Sequence, residues 1–499
     1  MKRHLIIFLL LNLIGFGYIY FQYHKNNSVP SEIKGDPKNF VSLKNQQFYL
    51  KGERFFPIAL NFVVSLCTND TAMWPAVYVS YLPQEKWETD RISSLEELKA
   101  TMQLIKDMGF NTVRLTHIGE PEVSNVGGGR ISFKASKGNN HNYQVYLENE
   151  ENYERYLKAI DDLMEAVGDA ELKAIFTVRM VHELPRTEDH LKRLCLRFRE
   201  NPTLVAYDFF NEPLYFDSIK HSKSEVYQNT KIWQRIVKTY APLQLSTIGL
   251  ACQRELFSWD PNLVNVDFLS MHPYDYEPDQ VRNELYWYNK YIKKPWIIGE
   301  TGIPSNNDSI PYANQSKFAR KVFNQLVNCN GQGFSWWQYK DLDWGYYHQN
   351  YLGVVNRHGQ TLNSKNQWVQ GTPKPVTSEI KTFLPLPEKR ECFCPENYYN
   401  FSSNKEFRII GKLIDENGNA IGGGGILAWD EWWINHYFTT SRPDGTFQLF
   451  SNYSFYHWMV SSTLNEMIRG DINPKNAISV NGIPTIDVGT IQLKKVLLN

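Results

Sequence analysis

Eight short runs of β-branched and aromatic residues recur between residues 45 and 385, and stretches with apolar residues at helical spacing lie between them. The candidate strands are Phe56–Phe62, Asn111–His117, Leu172–Val178, Leu204–Phe210, Leu243–Leu250, Val266–His272, Trp296–Glu300 and Phe334–Tyr339. Helices are predicted around Tyr153–Val167, His190–Arg199, Ser224–Thr239, Glu277–Ile292 and Asn314–Asn328. A further one is expected to open on a Ser94/Glu97 capping box, with Leu95, Leu98, Met102, Ile105 and Met108 on its apolar face. A strand-then-helix unit repeated eight times predicts an α/β chain, a (β/α)8 TIM barrel over 40–385. The span exceeds the usual size of about 250 residues, which leaves room for loop insertions. Two are visible, Cys67–Thr89 with Trp74, Tyr78 and Tyr81, and Glu120–Asn149, rich in Gly and Asn.

The pattern changes on either side of the barrel. Near the start, Leu5–Phe21 carries no charge and follows Lys2 and Arg3, so residues 1–25 read as a signal peptide or an N-terminal membrane anchor. No small-residue cleavage site follows, which favours the retained anchor, with the body outside the cytoplasm; a secreted form is the alternative. Gly371–Ser403 holds five Pro and little periodicity, the mark of a linker (386–405) or of a strap along the barrel. From Glu406 short alternating runs split by turns predict a small C-terminal all-β sandwich domain over 406–499. GKLIDENGNAI followed by TTSRPDGTFQL resembles the carboxypeptidase-regulatory-like modules. Such a module is expected to be a packing or spacer domain; the alternative is glycan binding through Trp429, Trp432 or Trp433.

Composition narrows the function. Lys+Arg and Asp+Glu number 53 each, so the formal charge is zero and nucleic acid is not an expected partner. Aromatic residues make up 14%, in keeping with a protein that stacks flat ligands such as sugar rings. The six cysteines do not form a disulfide framework, and Cys392-Phe393-Cys394 lacks the spacing and neighbours of a metal site. No cofactor and no metal are expected.

Reactive groups of such a barrel sit at the C-terminal ends of its strands. Two of these ends carry glutamate: the fourth run leads into Asn211-Glu212-Pro213 and the seventh into Glu300-Thr301-Gly302. Strands three apart in a ring of eight bring their tips across one mouth, where two carboxyl groups about 5–5.5 Å apart have the spacing of a retaining glycosidase. One must be protonated to release the leaving oxygen and the other ionised to attack, and like charges held close push their pKa values apart. Arg114 alternates into the barrel on NTVRL, where an unpaired guanidinium would be prohibitive, so a carboxylate partner is expected and Glu300 is the plausible one.

LVAYDFFNEP followed some eighty residues later by KPWIIGETG resembles the clan-A glycoside hydrolases, most closely the family 5 cellulase and mannanase group. FYLKGERFFPIALNF is similar to that group's opening hairpin and first strand, KDMGFNTVRLTH to its second, VDFLSMHPYD to its sixth and GFSWWQYKD to its eighth. The resemblance implies a retaining hydrolase of β-mannan or β-glucan type, with Glu212 as acid/base and Glu300 as nucleophile. It implies that Asn211 bonds the sugar 2-hydroxyl and Arg114 keeps Glu300 ionised. His272 and Tyr274 would orient the pair, Trp337 would floor the subsite at the reacting sugar, and His117 matches the end of the second strand.

Two other readings are open. One is a non-catalytic glycan-binding barrel; the presence of both glutamates, Asn211 and Arg114 argues against it. The other is a metal-dependent barrel hydrolase with His272 and Asp275 as ligands, for which the strand ends offer no matching set beyond His117.

Overall fold

A computed structural model describes residues 34–498 apart from 79–89, 124–130, 139, 148, 182–184, 218, 276–277 and 394–405. The Leu5–Phe21 segment lies outside the described residues, among which no helix is long and apolar enough to cross a membrane.

All eight expected barrel strands are present: Ile58–Thr68, Thr112–Thr116, Lys173–Thr177, Leu204–Asn211, Leu245–Leu250, Leu269–Met271, Trp296–Ile298 and Phe334–Trp336. They pair in parallel in ring order, seventh to sixth and so on round to the first, which pairs with the eighth. Bonds from Gln332 N to Trp296 O (2.8 Å) and from Ile298 N to Gly333 O (2.9 Å) join the eighth strand to the seventh and close the ring. Buried on both faces, these strands read as near-continuous apolar runs. Polar side chains that interrupt them, Asn61, Arg114 and Asp208, are all fully shielded from solvent.

The expected helices surround the ring at Arg91–Asp107, Glu150–Asp169, Pro185–Phe198, Lys223–Tyr240, Gln280–Tyr291 and Tyr312–Asn328, and a short helix at Gln253–Trp259 joins them. The first begins earlier than the Ser94/Glu97 pattern predicts. Asp90 is its N-cap and accepts from Ser93 N, while Ser94 is buried with its Oγ taken by Trp74 Nε1. A true capping box forms at Ser222 and Glu225, where each side chain satisfies the other residue's backbone N–H.

The two insertions have structure of their own. The first strand runs on to Thr68 and pairs with Met73–Val77, and Ile131–Lys137 pairs with Asn140–Tyr146 as a hairpin. Gly371–Cys392 straps the outside of the barrel: Phe383 stacks on Phe323 at 3.9 Å, and Cys392 is disulfide-bonded to Cys329. That bond gives Cys392 a partner the sequence reading did not foresee; Cys394 lies outside the described residues.

From Phe407 on, two four-stranded sheets form the C-terminal all-β part. It docks on the barrel through buried contacts. Lys223 Nζ, between Asp260 at 2.9 Å and Ser461 Oγ at 2.7 Å, is nearly sealed from water, and Trp287 donates to Thr439 O. Gly425 lies so close to the Phe257 ring that a Cβ there would stand 2.5 Å from it. Residues Asp36–Asn499 therefore pack as one unit.

Candidate active site

The fourth strand ends at Asn211, and the chain then turns at Glu212, whose φ of 50° and ψ of 68° lie in the left-handed region. Non-glycine residues adopt this conformation at a cost of about 1–3 kcal/mol, held by their surroundings. Here Glu212 N donates to Gly249 O, and Tyr215 N and Phe216 N of the Pro213–Phe216 turn both donate to Glu212 O. Beneath the turn lies Glu255, fully buried, whose carboxylate accepts from Leu214 N and Ala251 N.

Glu300 follows the seventh strand. Its nearest oxygen, that of Glu212 and a ring nitrogen of His272 lie within 4.8 Å of one another. His272 Nδ1 is 2.9 Å from Glu212 Oε1, a hydrogen bond, and 3.7 Å from Glu300 Oε1, so one imidazole holds the first and stands beside the second. Tyr274 O–H donates to Glu300 Oε2 at 3.3 Å.

Arg114 organises the floor. Nη1 donates to Glu300 Oε1 at 2.6 Å and to Asn61 Oδ1 at 3.0 Å, Nη2 to Asn211 Oδ1 at 2.8 Å, and Nε to Asp208 Oδ2 at 2.8 Å. The expectation of Glu300 as the plausible partner is thus incomplete: Asp208 is a second, fully buried one. Asn61 is fixed in turn by donating to Gly299 O and Trp336 O. Two glycines make the approach possible. A Cβ on Gly249 would stand 2.8 Å from the His272 ring and 3.2 Å from Arg114 Nη2; one on Gly299 would overlap Ser270 Oγ.

Six of the eight residues singled out in the sequence therefore meet at one place: Glu300, Arg114, Asn211 and Tyr274 share one hydrogen-bonded network, and the hydrogen-bonded pair of Glu212 and His272 stands against it. His117 and Trp337 line the same cavity of about 1310 Å³ without bonding to either glutamate. Trp336, the neighbour of Trp337, is buried and donates to Leu352 O. Asp208, Asn61 and Glu255 were missed. A polar residue inside an apolar strand run was a usable signal for the first two; nothing local marks Glu255.

Burial pushes the Glu212 carboxyl up to about 7. Burial also raises Glu300, while His272 and Arg114 oppose the shift. The hydrogen-bond partners differ in kind: Glu300 accepts from a guanidinium and a phenol, groups that favour its ionised form, whereas Glu212 meets only an imidazole that burial holds neutral, down to about 4. The arrangement can hold one proton on Glu212 and a negative charge on Glu300 at one time. Glu212, His272 and Glu300 each bring one atom within reach of a common cation, but Arg114 already bonds Glu300 Oε1 and His272 already bonds Glu212 Oε1. Asp275, the co-ligand weighed for His272, faces His436 instead.

Residues 74–343, more than half of the chain, match the family model Cellulase (glycosyl hydrolase family 5). The chain belongs to glycoside hydrolase family 5. Among solved structures this family 5 enzyme is similar to a subfamily 18 member from Streptomyces cattleya in complex with Manβ1-4GlcNAc (12% identity over 64% of this chain and 80% of that one, TM-score 0.44). It is also similar to a family 5 mannosidase from Rhizomucor miehei (14%, 70% and 97%, TM-score 0.43) and to an endo-1,4-β-mannanase from the same organism (14%, 60% and 90%, TM-score 0.42). No curated protein sequence matches. The protein is a glycosidase whose substrate is a carbohydrate.

Proposed function

We propose that this enzyme is a retaining hydrolase of β-linked glycans, of β-mannan or β-glucan type, that works by double displacement without a cofactor. The observation that carries the reading is the separation of Glu212 and Glu300, under 5 Å between nearest oxygens, which suits direct attack and leaves no room for a water between carboxylate and sugar.

In the first step a Glu300 oxygen attacks the anomeric carbon while the bond to the leaving oxygen breaks. The electron pair left on that oxygen takes the Glu212 proton, giving a glycosyl ester on Glu300. In the second, Glu212, now ionised, takes a proton from water as that water attacks the anomeric carbon. The sugar is released and both carboxyl groups return to their starting states. Arg114 and Tyr274 hold Glu300 ionised and aimed. His272 orients the pair, Asn211 meets the 2-hydroxyl, Trp337 floors the subsite of the reacting sugar, and His117 contacts the sugar from the second strand. The Cys329–Cys392 disulfide supports a working place outside the reducing cytoplasm, in line with export through the Leu5–Phe21 segment.

The test is a product profile on β-mannan, carboxymethyl-cellulose and mixed-linkage glucan with the parent enzyme and with Glu300→Ala and Glu212→Ala. Activity on one of the three that is lost in Glu300→Ala while oligosaccharide binding persists is the expected result. Unchanged activity in Glu300→Ala refutes the mechanism.

A further inference from the structure

Two side chains of the C-terminal all-β part, Trp433 and His436, line the same cavity as Glu212 and Glu300. Trp433 lies in the loop between the strands Gly425–Trp429 and His436–Thr440 and His436 opens the second strand, so the two share the loop segment 430–436. Asp430 ties it down by accepting from the backbone N–H of Trp432, Ile434 and Asn435. Trp433 has a φ of 64°, the left-handed region, which is unusual for so bulky a residue and is kept only where the surroundings enforce it.

Its contacts supply that enforcement. The His436 ring stacks parallel to the indole at 4.9 Å, the Arg254 guanidinium sits over the indole at 4.9 Å, and the Trp429 ring meets it edge-on at 5.1 Å. His436 Nε2 is 3.6 Å from Asp275 Oδ2, and its buried Nδ1 has no hydrogen-bond partner among the described residues. The barrel residues touched are neighbours of the catalytic pair. Arg254 precedes Glu255, which holds the turn after Glu212; Asp275 follows Tyr274, which bonds Glu300.

The side of the cavity follows from the ring order. Arg254 lies after the fifth strand and Asp275 after the sixth, whereas Trp337, assigned to the reacting sugar, lies just past the eighth. Glu212 directly follows the fourth strand, beside the fifth, and its proton must reach the leaving oxygen. A wall on the arc of the fifth and sixth strands therefore stands on the leaving-group side.

We propose that the 430–436 loop forms the leaving-group wall of the catalytic cavity, with Trp433 and His436 contacting the sugar that departs. Stacked on one another and covered by Arg254, the two rings present their edges to the cavity, and the positive rim of an aromatic ring suits the hydroxyl oxygens of a pyranose. This rests on the glycosidase mechanism above and adds a specificity element supplied by the second domain.

The experiment compares two kinds of probe for each backbone, β-1,4-mannotetraose with β-mannobiosyl fluoride and cellotetraose with β-cellobiosyl fluoride. Fluoride as leaving group does not reach the wall. Trp433→Ala is expected to lower kcat/KM on the cleaved tetraose about 10-fold or more, mainly through KM, and to change the fluoride rate less than about 2-fold. Trp433→Phe, which keeps the stack, should lose less, and Trp432→Ala, at an exposed position outside the cavity, should match the parent. Equal losses on both probes, or an unchanged tetraose rate in Trp433→Ala and Trp433→Phe alike, overturn the proposal. Glu300→Ala separates it from the mechanism beneath: persistent fluoride hydrolysis in that variant refutes double displacement whatever Trp433 does.

Discussion

His272 Nδ1 stands 2.9 Å from Glu212 Oε1 and 3.7 Å from Glu300 Oε1, so a single neutral imidazole is bonded to one carboxyl group and packed beside the other. The ring can sit there only because residue 249 has no side chain.

Gly249→Ala therefore tests the spacing without touching either glutamate. The added Cβ, 2.8 Å from the ring and facing Arg114, must displace one of them. A shift on the order of 1 Å in a catalytic group costs up to about 100-fold in rate. We expect kcat to fall at least about 10-fold, with a stability loss of about 1–3 kcal/mol from overpacking, both read from steady-state kinetics and urea unfolding. A variant with unchanged kcat would show that His272 does not position the pair.

Under the proposed mechanism the Glu212 carboxyl, raised to about 7 by burial, sets the alkaline limb of activity. The acid form is needed for the first step, so kcat/KM should decline as pH rises through about 7. The linkage has the opposite sign to that of a salt-bridged carboxylate. A raised folded pKa means the folded state binds more protons, so stability is lost as pH rises from the unfolded value of about 4.5 to about 7. Glu212→Gln removes that penalty: its unfolding free energy should exceed the parent's at pH 8 by an amount on the order of 1–3 kcal/mol, with a higher melting temperature, and approach it at pH 4. Equal melting curves at pH 8 would contradict this assignment.

Arg114→Met leaves Asp208 and Glu300 buried without their shared cation. Removing one partner of a buried ion pair costs about 3–5 kcal/mol. Denaturant unfolding should show a loss of that order at pH 7 and a smaller one at pH 4, where the stranded carboxyl groups protonate. Arg114→Lys should also lose activity, because an ammonium cannot reproduce the planar fork that meets Glu300, Asn61, Asn211 and Asp208 together.

How much of this was legible beforehand follows from which forces are local. The eight strands were readable because β-branched, doubly buried runs announce themselves, and the strand-end glutamates because a barrel gathers its strand tips. The Gln253–Trp259 helix was not, since it is short and its N-cap, Cys252, makes no side-chain cap bond. The true start of the Arg91–Asp107 helix at Asp90 was masked by Ser94, a cap-forming residue spent on Trp74 instead. Asp208 stood inside LVAYDFF, and an acid facing the barrel interior opposite Arg114 was a readable pairing. Glu255 and the Trp433 wall depend on contacts between distant segments that no local pattern encodes.

A chelator separates the carboxylate mechanism from metal-assisted hydrolysis. The Oε1 atoms of Glu212 and Glu300 are already engaged by His272 and Arg114, and a dication beside that guanidinium would be repelled. Hydrolysis rates should be the same after dialysis against EDTA as before. A loss restored by added zinc would favour the metal reading.

The most direct measurement is peptide mapping of the enzyme trapped with a 2-deoxy-2-fluoro-β-glycosyl fluoride of the sugar it cleaves. Double displacement predicts one glycosyl adduct, on Glu300, formed as activity disappears. An adduct on Glu212, or full inactivation with Glu300 unlabelled, would contradict it.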